Sequence, residues 1–164
     1  MFIPKLSLEY LESLLPVTMG FLHHGILHNY IECDVFMEFA IREARKNPEV
    51  GSNYLDLFVS DEPSEQLAII LKMCDANSET TDIADAWLFV LECSIRDFSQ
   101  STTEMLDKIE DLYESTDYPT ELSPFVRYMP CSNVVLDNVN RNEEQMIVRF
   151  KQFLAEKRKR VNHV

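Results

Sequence analysis

Apolar residues recur along this chain at helical spacing and almost nowhere alternate with period two. In STTEMLDKIEDLYES, Met105, Leu106, Ile109, Leu112 and Tyr113 share one helix face. In NEEQMIVRFKQFLAEK, Met146, Ile147, Phe150, Phe153 and Leu154 do the same. The nearest approaches to strand-like alternation are VSDEP and CSNVVLDN, each a few residues long. Only 3 of 164 residues are glycine, and β-branched runs are few. The pattern predicts an all-α fold: a single domain over 1–164, of about seven helices packed as antiparallel helical pairs, with a basic tail over 157–164. A chain of this length, 46% hydrophobic, can bury a core without staples.

Local signals divide the chain. Ser7 caps a first helix bearing Leu8, Leu11 and Leu15, stopped by Pro16. A second starts near Thr18 and is expected to break around Gly25. The third runs from about Asn29 to Lys46, with Ile31, Val35, Phe36, Phe39 and Ala40 on one side, and ends at Asn47-Pro48. A short helix follows Gly51-Ser52-Asn53. Pro63 then opens another, with Leu67, Ile70, Leu71 and Cys74 expected to face inward. DIADAWLFVLECSIRDF is apolar around nearly its whole circumference and reads as a central, buried helix. Ser101 and Glu104 have capping-box spacing. Residues 116–139 contain Pro119, Pro124 and Pro130 and predict an extended connection with room for one helical turn. The last helix starts near Asn142.

Charge narrows the function. The formal net charge is −13. Five of the fifteen Lys and Arg residues follow residue 150, against one of the 28 acids, so the first 150 residues carry −17. A field of that sign repels nucleic acid and speeds encounter with basic partners, although acidity also serves simply to keep a protein dispersed. Direct nucleic-acid binding is therefore not expected, and cations on a terminal helix have an ordinary role in complementing its dipole. No apolar run reaches membrane-spanning length, and MFIPKLSLEYLESLL lacks the form of a secretory signal. Cys33, Cys74, Cys93 and Cys131 form no CxxC pair and read as buried reduced thiols. A cytoplasmic location is expected.

The segment GFLHHGILHNYIECD concentrates three of the four histidines. On one straight helix, His24, His28 and Glu32 would stand at i, i+4 and i+8, which outlines a zinc site and a metal-dependent hydrolase. Against it, HExxH is absent, Gly25 and Asn29 interrupt the helix, and no second histidine pair completes a site. No phosphate loop, GxSxG elbow or SxxK pair occurs. Glu32 and Asp34 flank Cys33 and would raise its thiol pKa rather than activate it. No catalytic residue, metal or cofactor is expected.

The outward face of the helix after Ser101 is more pointed. Glu104, Asp107, Asp111 and Glu114 line it at i, i+3, i+7 and i+10, with Asp117 and Glu121 continuing past its end and Lys108 as the one nearby base. Like charges so spaced cost a helix a few tenths of a kcal/mol, roughly, per pair. The row reads either as a solvated face or as carboxylates that imitate phosphates for a basic partner. A second acidic group, Asp56, Asp61, Glu62 and Glu65, reads as acids at helix N-termini.

The run DLYESTDYPTELSPFVRYMP resembles a motif of an all-helical bacterial family of long-unknown function. The matching residues are Tyr113, Asp117, Tyr118, Pro119, Phe125, Val126, Arg127, Tyr128, Met129 and Pro130. DAWLFVLE and GFLHHGIL are similar in placement, and the resemblance covers about residues 10–155, with Ser115-Thr116 as a departure. That family resembles the immunity proteins of bacterial toxin systems, including contact-dependent growth inhibition (CdiI-type). The resemblance implies a cytoplasmic inhibitor without catalysis, whose partner is a cognate toxin nuclease domain, a basic RNase, with the EndoU type as one instance.

On physical grounds alone, Tyr118-Pro119 predicts an extended entry to the motif. Phe125, Tyr128 and Met129 are expected against the tryptophan helix, and Arg127 beside an acid. The expectation is then an immunity protein that covers its toxin's groove with Glu104, Asp107, Asp111, Glu114, Asp117 and Glu121, over an interface of about 1,600 Å² in total. The alternative is an intracellular helical adaptor with no toxin partner.

Overall fold

A computed structural model describes residues 5–73, 81–129 and 139–161. The protein is all-α, with no strand among the described residues. The helices are α1 (Leu8–Leu14), α2 (Met19–Leu27), α3 (Cys33–Lys46), α4 (Pro48–Gly51), α5 (Leu55–Val59), α6 (Pro63–Met73), α7 (Thr81–Phe98), α8 (Thr102–Ser115) and α9 (Val139–Val161). Single 3-10 turns cover Ser52–Tyr54 and Ser123–Phe125. Cys74, Pro130, Cys131 and the CSNVVLDN run lie outside the described residues.

Most ends follow their caps. Ser7 Oγ accepts from the Tyr10 N–H, and Thr18 Oγ1 from that of Phe21, each satisfying a first-turn donor. Asn47 does double duty. Its N–H closes α3 on Glu43 and its side chain accepts from the Glu49 N–H, so Pro48 ends one helix and opens α4.

The described residues group into two compact units, one within 5–87 and one from Leu88 onward; the division falls inside α7. In residues 5–87, Leu8, Leu11, Leu22, Phe36, Leu57, Ile70 and Trp87 are almost wholly buried. Gly25 does not break α2. It lies inside the helix because a Cβ there would stand 2.2 Å from Trp87 Cζ2, and only glycine leaves room for the indole. Trp87 stacks on Phe21, with ring centres 4.3 Å apart, and its Nε1 donates to the Phe21 carbonyl at 2.7 Å.

The true end of α2 is Asn29, with φ 57°. The Tyr30 N–H reaches the Gly25 carbonyl at 2.7 Å and the Asn29 N–H that of Ile26 at 3.1 Å, the two bonds of a Schellman ending. The third helix therefore starts at Cys33 and not at Asn29. In α6 only Ile70 is buried. Leu67 and Leu71, expected inward, are more than a third exposed.

In the unit beginning at Leu88, α7 is buried from Phe89 to Ile95. The five residues expected to face inward from α8 all do so, and Ile147, Phe150 and Leu154 of α9 join them in the core. The helix α8 ends as α2 does. Asp117 is left-handed (φ 61°) and the Tyr118 N–H reaches back to the Tyr113 carbonyl at 2.9 Å. Tyr118 is itself left-handed (φ 58°), not extended, and its ring meets Tyr113 edge-on, which holds that strained conformation. Phe125 packs against Phe150 and Phe153 of α9, while Tyr128, expected against the tryptophan helix, is more than half exposed.

Candidate functional site

The acidic face of α8 begins at a cap. Ser101 Oγ accepts from the Glu104 N–H at 3.1 Å, and Glu104 returns a carboxylate oxygen to the Gln100 N–H at 2.7 Å. The second bond falls one residue short of the capping-box donor, with the same effect of satisfying an end N–H. Lys108 pairs with Glu104 at 2.8 Å, and these contacts hold the Glu104 carboxyl below its usual pKa. Glu104 is thus committed to its own helix.

Arg127 then enters from the segment after Pro119. Its guanidinium bonds Glu110 through Nε (2.9 Å) and Nη2 (2.8 Å), contacts Asp107 as well, and reaches Glu143 of α9 at 3.7 Å. The Arg127 N–H also donates to Glu110 at 2.9 Å. Bidentate pairing of this kind fixes orientation as well as charge. It raises the Arg127 pKa, chiefly through Glu110, and lowers that of Glu110. One residue on, the Tyr128 hydroxyl donates to Glu114 at 3.2 Å. The 118–129 segment is therefore a strap tied along α8 by Arg127 and Tyr128.

Of the six predicted residues, Asp107, Asp111, Glu114 and Asp117 are exposed on α8 or at its end. Glu121 is drawn elsewhere. It bonds Lys157 Nζ at 2.5 Å, and Lys157 also bonds both oxygens of Glu92, at 2.8 and 3.0 Å. Glu92 is fully buried and Lys157 nearly so, with its ammonium 5.4 Å from the centre of the Phe153 ring. Burial dominates over the lysine and lifts the Glu92 carboxyl to about 7. Lys157 thus belongs to the interior and not to the basic tail assigned from 157 onward.

The histidine set is not assembled. The helix α2 stops before Glu32, whose carboxylate bonds Lys5 Nζ at 2.7 and 2.9 Å. His24 and His28 lie with ring centres 4.3 Å apart, and His28 stacks on Tyr30, whose ring lies 5.2 Å from Trp87. His23 is buried, with Nε2 3.4 Å from the Leu71 carbonyl. Among the described residues no group of three or more His, Cys, Asp or Glu side chains is placed to hold a metal. Cys33 is half-buried and its thiol pKa is raised by burial, then by Asp34 and Glu32; Cys93 is buried and pushed up to about 11. Neither is an activated nucleophile.

Residues 8–158 match a family described as uncharacterized proteins conserved in bacteria (DUF2247). The chain belongs to this family. No curated protein and no solved structure matches it. The coarse part of the resemblance therefore holds: an all-helical chain of an uncharacterized bacterial family. Among the described residues no helix is long and apolar enough to cross a membrane.

Two features of this DUF2247 member escaped the sequence reading. One is the buried Glu92–Lys157–Glu121 cluster, for which a signal existed: a carboxylate within the apolar run LFVLECSI needs a buried cation. The other is a groove of about 830 Å³ between α3 and α6, bounded by the end of α2. Of its apolar side chains, Leu67 of α6 is expected in the core from the sequence, while Met37 and Ile41 of α3 lie outside the inward set of that helix.

Proposed function

We propose that this protein is an immunity protein that binds and neutralises a cognate bacterial toxin, a basic nuclease domain, through the outward face of α8. The reading combines the motif at 113–130 with one structural observation. Asp111, Glu114 and Asp117 stand exposed on α8 and just past its end, where the helix itself contributes one base, Lys108, which is paired with Glu104. Such a face favours a cationic surface that has evolved to hold phosphates, and it steers that surface in by long-range attraction. The action of such a face is occlusion of the partner's groove. Of the original row of six, Glu104 and Glu121 are spent on internal contacts, Asp107 and Glu114 stay exposed while sharing their carboxylates with Arg127 and Tyr128, and Asp111 and Asp117 complete the face.

The partner is sought in the gene next to this one. Its purified product should be a basic RNase that co-purifies with this protein and loses activity in the complex. Asp111→Lys with Glu114→Lys gives up the Tyr128 tie but keeps the Arg127–Glu110 clamp, and should slow association at least tenfold at low salt and flatten its salt dependence. A neighbouring product that neither binds nor is inhibited ends the proposal. Unchanged association by the double variant removes α8 as the contact.

A further inference from the structure

We propose that the groove between α3 and α6 is a docking site for an amphipathic basic helix of a partner protein. Its floor carries Ile26, Ile31, Met37 and Ile41 from one side and Leu67 from α6. Met37 and Ile41 stand one turn apart, which suits apolar anchors at i, i+3 or i+4, and i+7 of an incoming helix. Ile41 is 37% exposed and Leu67 38%, although the periodicity of α6 marks Leu67 as a core residue. An apolar residue at a core position that stays wet calls for a cover.

Charge selects the occupant. Glu32, Asp34 and Glu38 line the groove, and among the described residues no Lys, Arg or His does. Lys5 and Arg42 reach Glu32 and Glu38 from outside the lining, in exposed pairs. Exposed pairs are worth about 0–1 kcal/mol, so an incoming cation that brings buried apolar contact can displace them. A neutral helix would gain nothing from these carboxylates, and an acidic one would be repelled. The groove is lined by residues 26–67 and shares no residue with α8, so it stands or falls independently of the toxin-binding proposal.

The probe is a fluorescein-labelled leucine–lysine peptide that folds as an amphipathic helix, titrated with the full chain and read by anisotropy. Binding is expected to weaken at least tenfold in Ile41→Lys with Leu67→Lys, and also in Leu67→Ser, a milder change in case the double variant fails to fold by circular dichroism. Asp111→Lys with Glu114→Lys should leave it unchanged. Absence of binding overturns the proposal. So does equal binding of a scrambled peptide without an apolar face, equal binding of the leucine–glutamate counterpart, or indifference to the groove variants. Self-association in sedimentation that Leu67→Ser abolishes would make a second copy the occupant, and equally overturns it.

Discussion

Gly25 shows how a single residue can be misjudged from its neighbours in sequence. Glycine in a helix is locally a weak point, costing up to about 1 kcal/mol relative to alanine. Here the missing Cβ is required by Trp87, 62 positions away, and no local rule reveals that. Gly25→Ala should therefore destabilise the fold by about 3 kcal/mol, as overpacking against a rigid ring does, instead of stabilising it through propensity. Urea unfolding followed by Trp87 fluorescence measures this. Adding Gly25→Ala to Trp87→Leu should cost much less than adding it to the wild type, since the collision is then gone. A neutral Gly25→Ala would refute the close approach. The real stop, Asn29, was legible as an interruption of the helix that tolerates the left-handed conformation, but not as the end of α2 rather than the start of α3.

At the level of the element, α8 was the most legible part of the chain. Its cap, its length and its five buried residues follow from STTEMLDKIEDLYES alone. What covers its outer face was not legible, because Arg127 and Tyr128 arrive from 12 and 13 residues beyond its end through two left-handed residues that ordinary turn rules do not foresee at Asp-Tyr-Pro. Arg127 was expected beside one acid and instead gathers three, from α8 and α9. Arg127→Gln should return unshielded Asp107 and Glu110 to i, i+3 spacing and untie the strap. Because the guanidinium is partly solvated, the loss of stability should be modest, about 1 kcal/mol, and should shrink in 0.5 M salt. The sharper signal is hydrogen exchange. The Arg127 amide, bonded to Glu110, should lose protection in the variant while the α8 interior keeps its own. Undiminished protection at Arg127 would show that the strap is held by packing of Phe125 and Val126 alone.

Across the whole molecule, helical class and acidity could be read from the sequence, whereas the division into two units could not, because it cuts through one continuous helix. The buried cluster in the second unit sets how the fold responds to pH. The Glu92 carboxyl sits at about 7 in the folded protein against 4.5 as its ordinary value. Between those values the folded state holds a proton that the unfolded chain has released. Stability therefore falls as pH rises from about 5 to 7.5, and levels off above. The loss is roughly 1–3 kcal/mol, bounded by the size of the shift. At the acid end the direction reverses. Glu104 and Glu110 are held below their usual pKa by Lys108 and Arg127, and their contribution disappears as pH falls below about 4. Stability should peak near pH 5, which denaturant unfolding at pH 4, 5, 6, 7 and 8, followed by circular dichroism, would reveal. Glu92→Gln keeps an acceptor for Lys157, which retains Glu121 as a charged partner, and removes the group that titrates. Its stability should be nearly level between pH 5 and 8 and should exceed the wild type at pH 8. If wild type and variant lose stability in parallel across that range, the slope comes from general charge repulsion in an acidic chain and Glu92 stays ionised against Lys157 throughout.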